Sequence, residues 1–340
     1  MDRTSGYLLR SFSALFFSIF LPIVAIGSLI LFVRIAKITE VTQMSFSEML
    51  LMYGYFMPTL LFYTLPITFF AALTLTMVKL SNDFETIVLF SFGISPRRLV
   101  RFFLPIATAA TALLLVLSLA LVPITKQLVK SFISYKSVHA VLNIQASEFG
   151  QKFGSWLVFL ESKNEEDGTL HNIVLYNTAQ KGEEQMLLAK NGRFFNENGL
   201  LGLTLLHGEA YRIQEDEIVQ IDFETMKIYD TSHHEPFTYR NLAEYWLMAL
   251  ADAKRLKDLL IFVAVSLFPL LTLFYAFGFG ILQPRYDKNF SYAAIFAVTT
   301  LYYAVVSTAA KNAPTLTGLF LLLFLIGGWL IFRLKIERRF

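Results

Sequence analysis

The side chains of this chain that could do chemistry are few and widely spaced. Asp83 and Glu85 stand two apart in a short polar stretch between apolar runs. Such carboxylates can meet a cation on another molecule. Arg34 and Lys37 lie three apart, which on a helix puts them on one face, and Lys311 follows a later apolar run. A guanidinium grips phosphate with a two-pronged fork, while an ammonium acts as a point charge. The same cations could instead extend to the head groups of surrounding lipid. His233-His234-Glu235 could suggest a metal, but no second ligand group stands at a useful spacing, so an exposed polar turn is expected. There is no Cys, hence no thiol nucleophile, disulfide or thiolate metal site. Gly-Lys, His-Glu-x-x-His and Gly-x-Ser-x-Gly are all missing. The inventory points to binding rather than catalysis, with no cofactor and no ATPase of its own.

The elements that must carry these residues are dominated by apolar runs. Ser11–Val33, Met49–Val78, Phe102–Thr125, Leu259–Pro284, Asn289–Ala310 and Asn312–Phe332 contain no Asp, Glu, Lys, Arg or His. Each is long enough to cross about 30 Å of hydrocarbon as a helix. The composition agrees: 55% of the 340 residues are hydrophobic and 16% charged. The first run follows a basic flank but is longer than a signal peptide's apolar core, and is expected to be a retained helix. The spans keep no ionisable group, whereas ion-coupled carriers need such groups inside the membrane. A net charge of +3 gives no basic surface for nucleic acid.

Lys and Arg accumulate on the cytoplasmic side of short loops. One side collects Arg3, Arg10, Lys79, Arg97, Arg98, Arg101, Arg285, Lys288, Arg333, Lys335, Arg338 and Arg339. Both termini are therefore expected in the cytoplasm. Residues 126–258 are expected on the far side. That segment holds short strand-like stretches at Trp156–Leu160, Ile173–Tyr176, Leu201–Leu205 and Ile218–Phe223, the last two with period-two alternation and the first two apolar on both faces. Turn-forming clusters separate them, with Asn198-Gly199 the sharpest hairpin signal. A small β sandwich or jelly roll is expected, flanked by helical stretches at Lys126–His139 and Leu242–Lys257. The fold class is thus an α-helical integral membrane protein of six spans, three plus three, with an inserted β domain. The parts are 1–125 with the loop helix at about 82–93, then 126–258, then 259–340.

The loop helix itself follows from Ser81 or Asn82 as N-cap, acids in the first turn, Gly93 as terminator and Pro96 beyond. Its apolar residues Phe84, Ile87, Val88 and Phe92 keep helical spacing outside the bilayer. Two readings stand: a piece that docks in the groove of a soluble partner, or a helix lying on the membrane surface.

At this point the text resembles the permease family of the lipopolysaccharide export system. The resemblance rests on Leu65-Pro66 in span two, then Lys79-Leu80, Glu85 and Gly93-Ile94-Ser95. Val33-Arg34-Ile35, Leu157–Ser162 and Gln283-Pro284-Arg285 look more like its F subunit than its G subunit. The resemblance covers nearly the whole chain. It implies an inner-membrane permease with a periplasmic jelly roll, paired with a sibling permease of G type. A cytoplasmic ATPase dimer would drive the pair, and a single-span C subunit with its own jelly roll would assist. Lipopolysaccharide would leave the inner membrane and pass along a bridge of jelly rolls toward the outer membrane.

Carried over residue by residue, the resemblance places ATPase coupling on Glu85, with Asp83 at a second acidic position and Phe84 and Val88 beside them. Arg34 matches a basic position of the family, and Lys37 and Lys311 are further candidates for the lipid's phosphates. A second family cation, expected three residues before Arg34, is replaced by Leu31. The competing reading is a membrane scaffold or receptor whose β domain binds periplasmic proteins. Such a scaffold has no use for an ATPase-facing Glu85.

Overall fold

The computed structural model describes residues 3–41, 44–139, 151–153, 155–164, 168–180, 183–197, 200–214, 217–229, 241–248, 252–283, 290–312 and 314–338. The chain forms two compact units. The first holds residues 1–34, 50–127 and 240–340 and is helical; the second holds 35–49 and 128–239 and carries the sheet.

Helices α1 (Arg3–Val41) and α2 (Phe46–Asn82) have 39 and 37 residues. At about 1.5 Å per residue each outruns a hydrocarbon core of about 30 Å. The short α3 (Glu85–Ser91) follows, then α4 (Pro96–Val116). A π-turn at Leu117–Leu121 leads α4 straight into α5 (Val122–His139). A π-turn strains the regular hydrogen-bond ladder. Here Trp246 Nε1 donates to the Leu119 carbonyl at 2.7 Å, and the Ser118 and Ser266 hydroxyls lie 3.0 Å apart. Trp246 sits on α6 (Leu242–Leu247). Beyond it come α7 (Ala253–Leu271), α8 (Leu273–Gly280), α9 (Ser291–Asn312) and α10 (Pro314–Phe332).

Among the described residues, five helical stretches are long and apolar enough to span a membrane, or six where the bent pair α7–α8 counts as one span. The run Leu259–Pro284 was expected as one span. It bends by 41° at Thr272, three residues after Pro269. Proline removes a backbone donor, and the Thr272 hydroxyl bonds the Phe268 carbonyl at 2.7 Å, a local bond that bends helices. The stretch Leu242–Lys257 was expected as one helix. Instead α6 and α7 are separate, and Asp252 caps α7 by accepting the Lys254 N–H at 2.9 Å.

The core of the helical unit joins Phe70, Leu73 and Met77 of α2, Phe103 of α4, Phe268 and Phe277 of α7–α8, and Tyr302 of α9. Between membrane helices this packing rests on close contact rather than on water exclusion. Gly280 shows how close: a Cβ there would stand 2.8 Å from the Thr74 carbonyl. Large apolar residues on the outside, such as Leu29 and Phe296, suit lipid.

Among the described residues, the second unit carries one antiparallel sheet whose strands follow in chain order: β1 (Gln151–Phe153), β2 (Trp156–Lys163), β3 (Thr169–Gln180), β4 (Glu183–Glu197), β5 (Leu200–Gln214) and β6 (Glu217–Tyr229). The four strand-like stretches of the sequence fall in β2, β3, β5 and β6. β4 carries no such pattern, because Lys190-Asn191-Gly192-Arg193 interrupts it. Gly192 is needed there, since a Cβ would meet the Thr204 carbonyl of β5 at 2.9 Å. One face buries Val158, Leu160, Ile173, Leu175, Leu187, Leu203 and Leu205. Glu197 pairs with Leu200 across the expected Asn198-Gly199 hairpin. The hairpin residues themselves, and His233-His234-Glu235, lie outside the described residues.

Candidate functional site

The loop between α2 and α4 starts differently from its sequence expectation. Neither Ser81 nor Asn82 caps α3, because α2 runs on through Asn82. The chain then reverses at Phe84, which takes the left-handed conformation (φ 59°) and acts as N-cap without a side-chain bond. A left-handed backbone is costly for a residue with a Cβ. The Ser81 hydroxyl is used elsewhere. It accepts the Leu282 N–H at 3.1 Å and the Thr86 hydroxyl at 3.4 Å, and faces the Gly280 carbonyl at 3.4 Å. One buried serine thus ties the end of α2, the first turn of α3 and the end of α8 together.

The far end of α3 follows the sequence. Gly93 (φ 80°) donates to the Phe90 carbonyl and Ile94 to the Leu89 carbonyl, a Schellman closure that favours glycine. Ser95 is extended and Pro96 opens α4, where its missing N–H costs nothing. Fixed at both ends, α3 turns its Thr86 inward (1% exposed) and its large apolar residues outward. Phe84 is 48% exposed, Val88 51% and Phe92 80%. Phe90 and Ile94 pack back on the helical core. Glu85 lies at the edge of this apolar face, and its Oε1 accepts the Tyr7 hydroxyl of α1 at 2.7 Å. Asp83 is exposed beside it. The structure therefore gathers Asp83, Phe84, Glu85 and Val88 on one outward surface. Tyr7 and the junction role of Ser81 escaped the sequence reading, because Glu85 stands 78 residues from Tyr7 and Leu282 about 200 from Ser81. This surface offers an apolar ridge flanked by carboxylates, complementary to a groove with a cation at its edge.

The cations are less gathered. Arg34 is exposed, and its guanidinium lies over the Phe56 ring of α2, 4.5 Å from the centroid. Stacking holds the planar fork while leaving its N–H edges free for an anion. Lys37 and Lys311 are exposed and make no ion pair or hydrogen bond among the described residues. A cation not singled out from the sequence, Lys126, lies 5.0 Å over the Phe262 ring. Phe62 and Phe69 of α2 are buried in the helical core. The β unit carries an open cavity of 520 Å³, with Phe159, Glu161, Lys190, His207 and Glu209 in its wall. Two residues at this cavity, Asn172 and His207, have left-handed backbones. No group of His, Cys, Asp and Glu among the described residues could hold a metal ion.

Apolar helices sufficient for six spans, a β unit inserted after the third and an outward loop helix define a multi-pass membrane protein. The chain matches the family model described as lipopolysaccharide export system permease LptF/LptG over residues 6–335, and it belongs to that family. The model covers both subunit types. No curated protein matches the chain.

Proposed function

We propose that the chain is an F-type permease subunit of an ATP-driven exporter that extracts lipopolysaccharide from the inner membrane. In this reading both termini are cytoplasmic and the β domain is periplasmic. A sibling G-type permease completes the transmembrane pair, a cytoplasmic ATPase dimer powers it, a single-span C subunit with its own jelly roll assists, and the lipid passes to a periplasmic bridge of jelly rolls. Glu85 and Asp83, with Phe84 and Val88, transmit closure of the ATPase to the spans. Arg34, Lys37 and Lys311 meet the phosphates of the lipid.

The observation that carries the reading is the outward face of α3 in a chain of this family. Phe84, Val88 and Phe92 are exposed outside the apolar runs, and the chain has no nucleotide-binding motif of its own. The Ser81 junction supports a mechanical route, since a push on α3 reaches α2 and α8 through one hydroxyl.

The test is purification in mild detergent from the native membrane, with identification of what accompanies the chain. Recovery of a P-loop ATPase and a second six-span permease in fixed ratio is expected. Recovery with periplasmic proteins alone and no ATPase would replace the exporter with a scaffold.

A further inference from the structure

A second cavity of 250 Å³ opens between α4, α8 and α10. Arg97, Arg101 and Leu104 of α4 wall it on one side, with Phe274 of α8 and Trp329 and Phe332 of α10 on the others. Arg97 donates from Nε to Glu337 Oε1 at 2.6 Å and from Nη2 to Oε2 at 2.9 Å. The Arg97 side chain is still 71% exposed, and its Nη1 makes no hydrogen bond among the described residues. Arg101, one turn along, is exposed and has no ion pair or hydrogen bond among the described residues. Arg333 lies over the Trp329 ring at 5.1 Å. Three guanidiniums against one carboxylate leave a net formal charge of +2.

Just inside that charge the surface is apolar, and both Leu104 and Trp329 are exposed. The height matters as well. Arg97 and Arg101 immediately precede the charge-free run Phe102–Thr125, and Arg333 immediately follows Asn312–Phe332. Cations and Trp at such a boundary stand at lipid head-group level. A small soluble anion would satisfy the arginines but leave Leu104 and Trp329 wetted. An anion with an acyl tail satisfies both.

We propose that this groove binds an anionic glycerophospholipid, with its phosphate on Arg101 and Arg97 and an acyl chain along Leu104 and Trp329. Glu337 holds the Arg97 fork through Nε and Nη2, which leaves Nη1 for the phosphate. The site is distinct from Arg34, Lys37 and Lys311, which by chain order stand at the opposite ends of their spans. It does not depend on the export reading.

The test uses the full chain in detergent, with bound lipid counted by mass spectrometry of the intact complex. The probes are phosphatidylglycerol and phosphatidylcholine of matched acyl chains. Preferential retention of phosphatidylglycerol is expected. Arg101→Gln should weaken it about tenfold, the size of one charge-assisted hydrogen bond. Leu104→Trp, which fills the apolar wall and keeps the charges, should do the same. Arg98→Gln, one residue from the groove, should leave retention unchanged. Equal retention of the two lipids, an unaffected Arg101→Gln, or an equal loss in Arg98→Gln would overturn the site. Displacement of the lipid by inorganic phosphate at matched concentration would identify a plain anion site and overturn the lipid reading.

Discussion

At the scale of single residues, two side chains carry the proposed function. Glu85 is held by Tyr7 at the rim of an apolar ridge. Replacing it with Ala should lower lipopolysaccharide-stimulated ATP hydrolysis by the assembled complex about tenfold or more, as expected for a lost charged contact. Unchanged stimulation and assembly would remove the coupling role. Arg34 differs because its fork is stacked on Phe56. Arg34→Ala should reduce lipopolysaccharide binding about tenfold or more. Arg34→Lys keeps the charge but loses the stack, and should recover binding only to within about two- to fivefold of the parent. Full recovery by Lys would mean that charge alone matters there.

At the scale of elements, α3 is defined by its two ends. The left-handed Gly93 has open space where a Cβ would be added, so substitution there tests conformation without a clash. Gly93→Ala should destabilise the loop by about 1–2 kcal/mol. Limited proteolysis within 83–95 should quicken, while the sheet stays as resistant as before. The end at Gly93 was legible in the sequence because a glycine terminator acts locally. The start was not. Ser81 is a good N-cap by type, yet its hydroxyl is claimed by Leu282 and Thr86, and nothing near Ser81 in the chain announces that. β4 was missed for a related reason. Gly192 and its polar neighbours break the alternation, but close approach of the Thr204 carbonyl is what places glycine there. The left-handed backbones at Asn172 in β3 and His207 in β5 fall on residue types that tolerate that conformation, but nothing around them in the chain marks the strand as kinked there.

At the scale of the whole molecule, the spans were the most legible feature, because a charge-free run of sufficient length has no stable place except a membrane. What the runs did not disclose is how their ends are tied. Arg97 and Glu337 join the start of α4 to the segment following α10 across 240 residues. The Arg97 hydrogen bond and charge hold the Glu337 carboxyl below its ordinary range. A depressed carboxylate adds stability above its unfolded pKa, and that stability is lost as pH falls through the folded value. Thermal stability should therefore drop on acidification below about pH 4.5, and Glu337→Gln should flatten that part of the profile. An identical profile in the variant would show the pair to be energetically silent, as exposed pairs often are. The spans themselves have an electrical consequence. Moving one elementary charge through a membrane potential involves about 2.3 kcal/mol per 100 mV. Helices with no ionisable side chain in their apolar runs can shift without doing that work. At fixed ATP, export through this permease should run at the same rate in polarised and depolarised vesicles, and a voltage-dependent rate would place gating charge in another subunit.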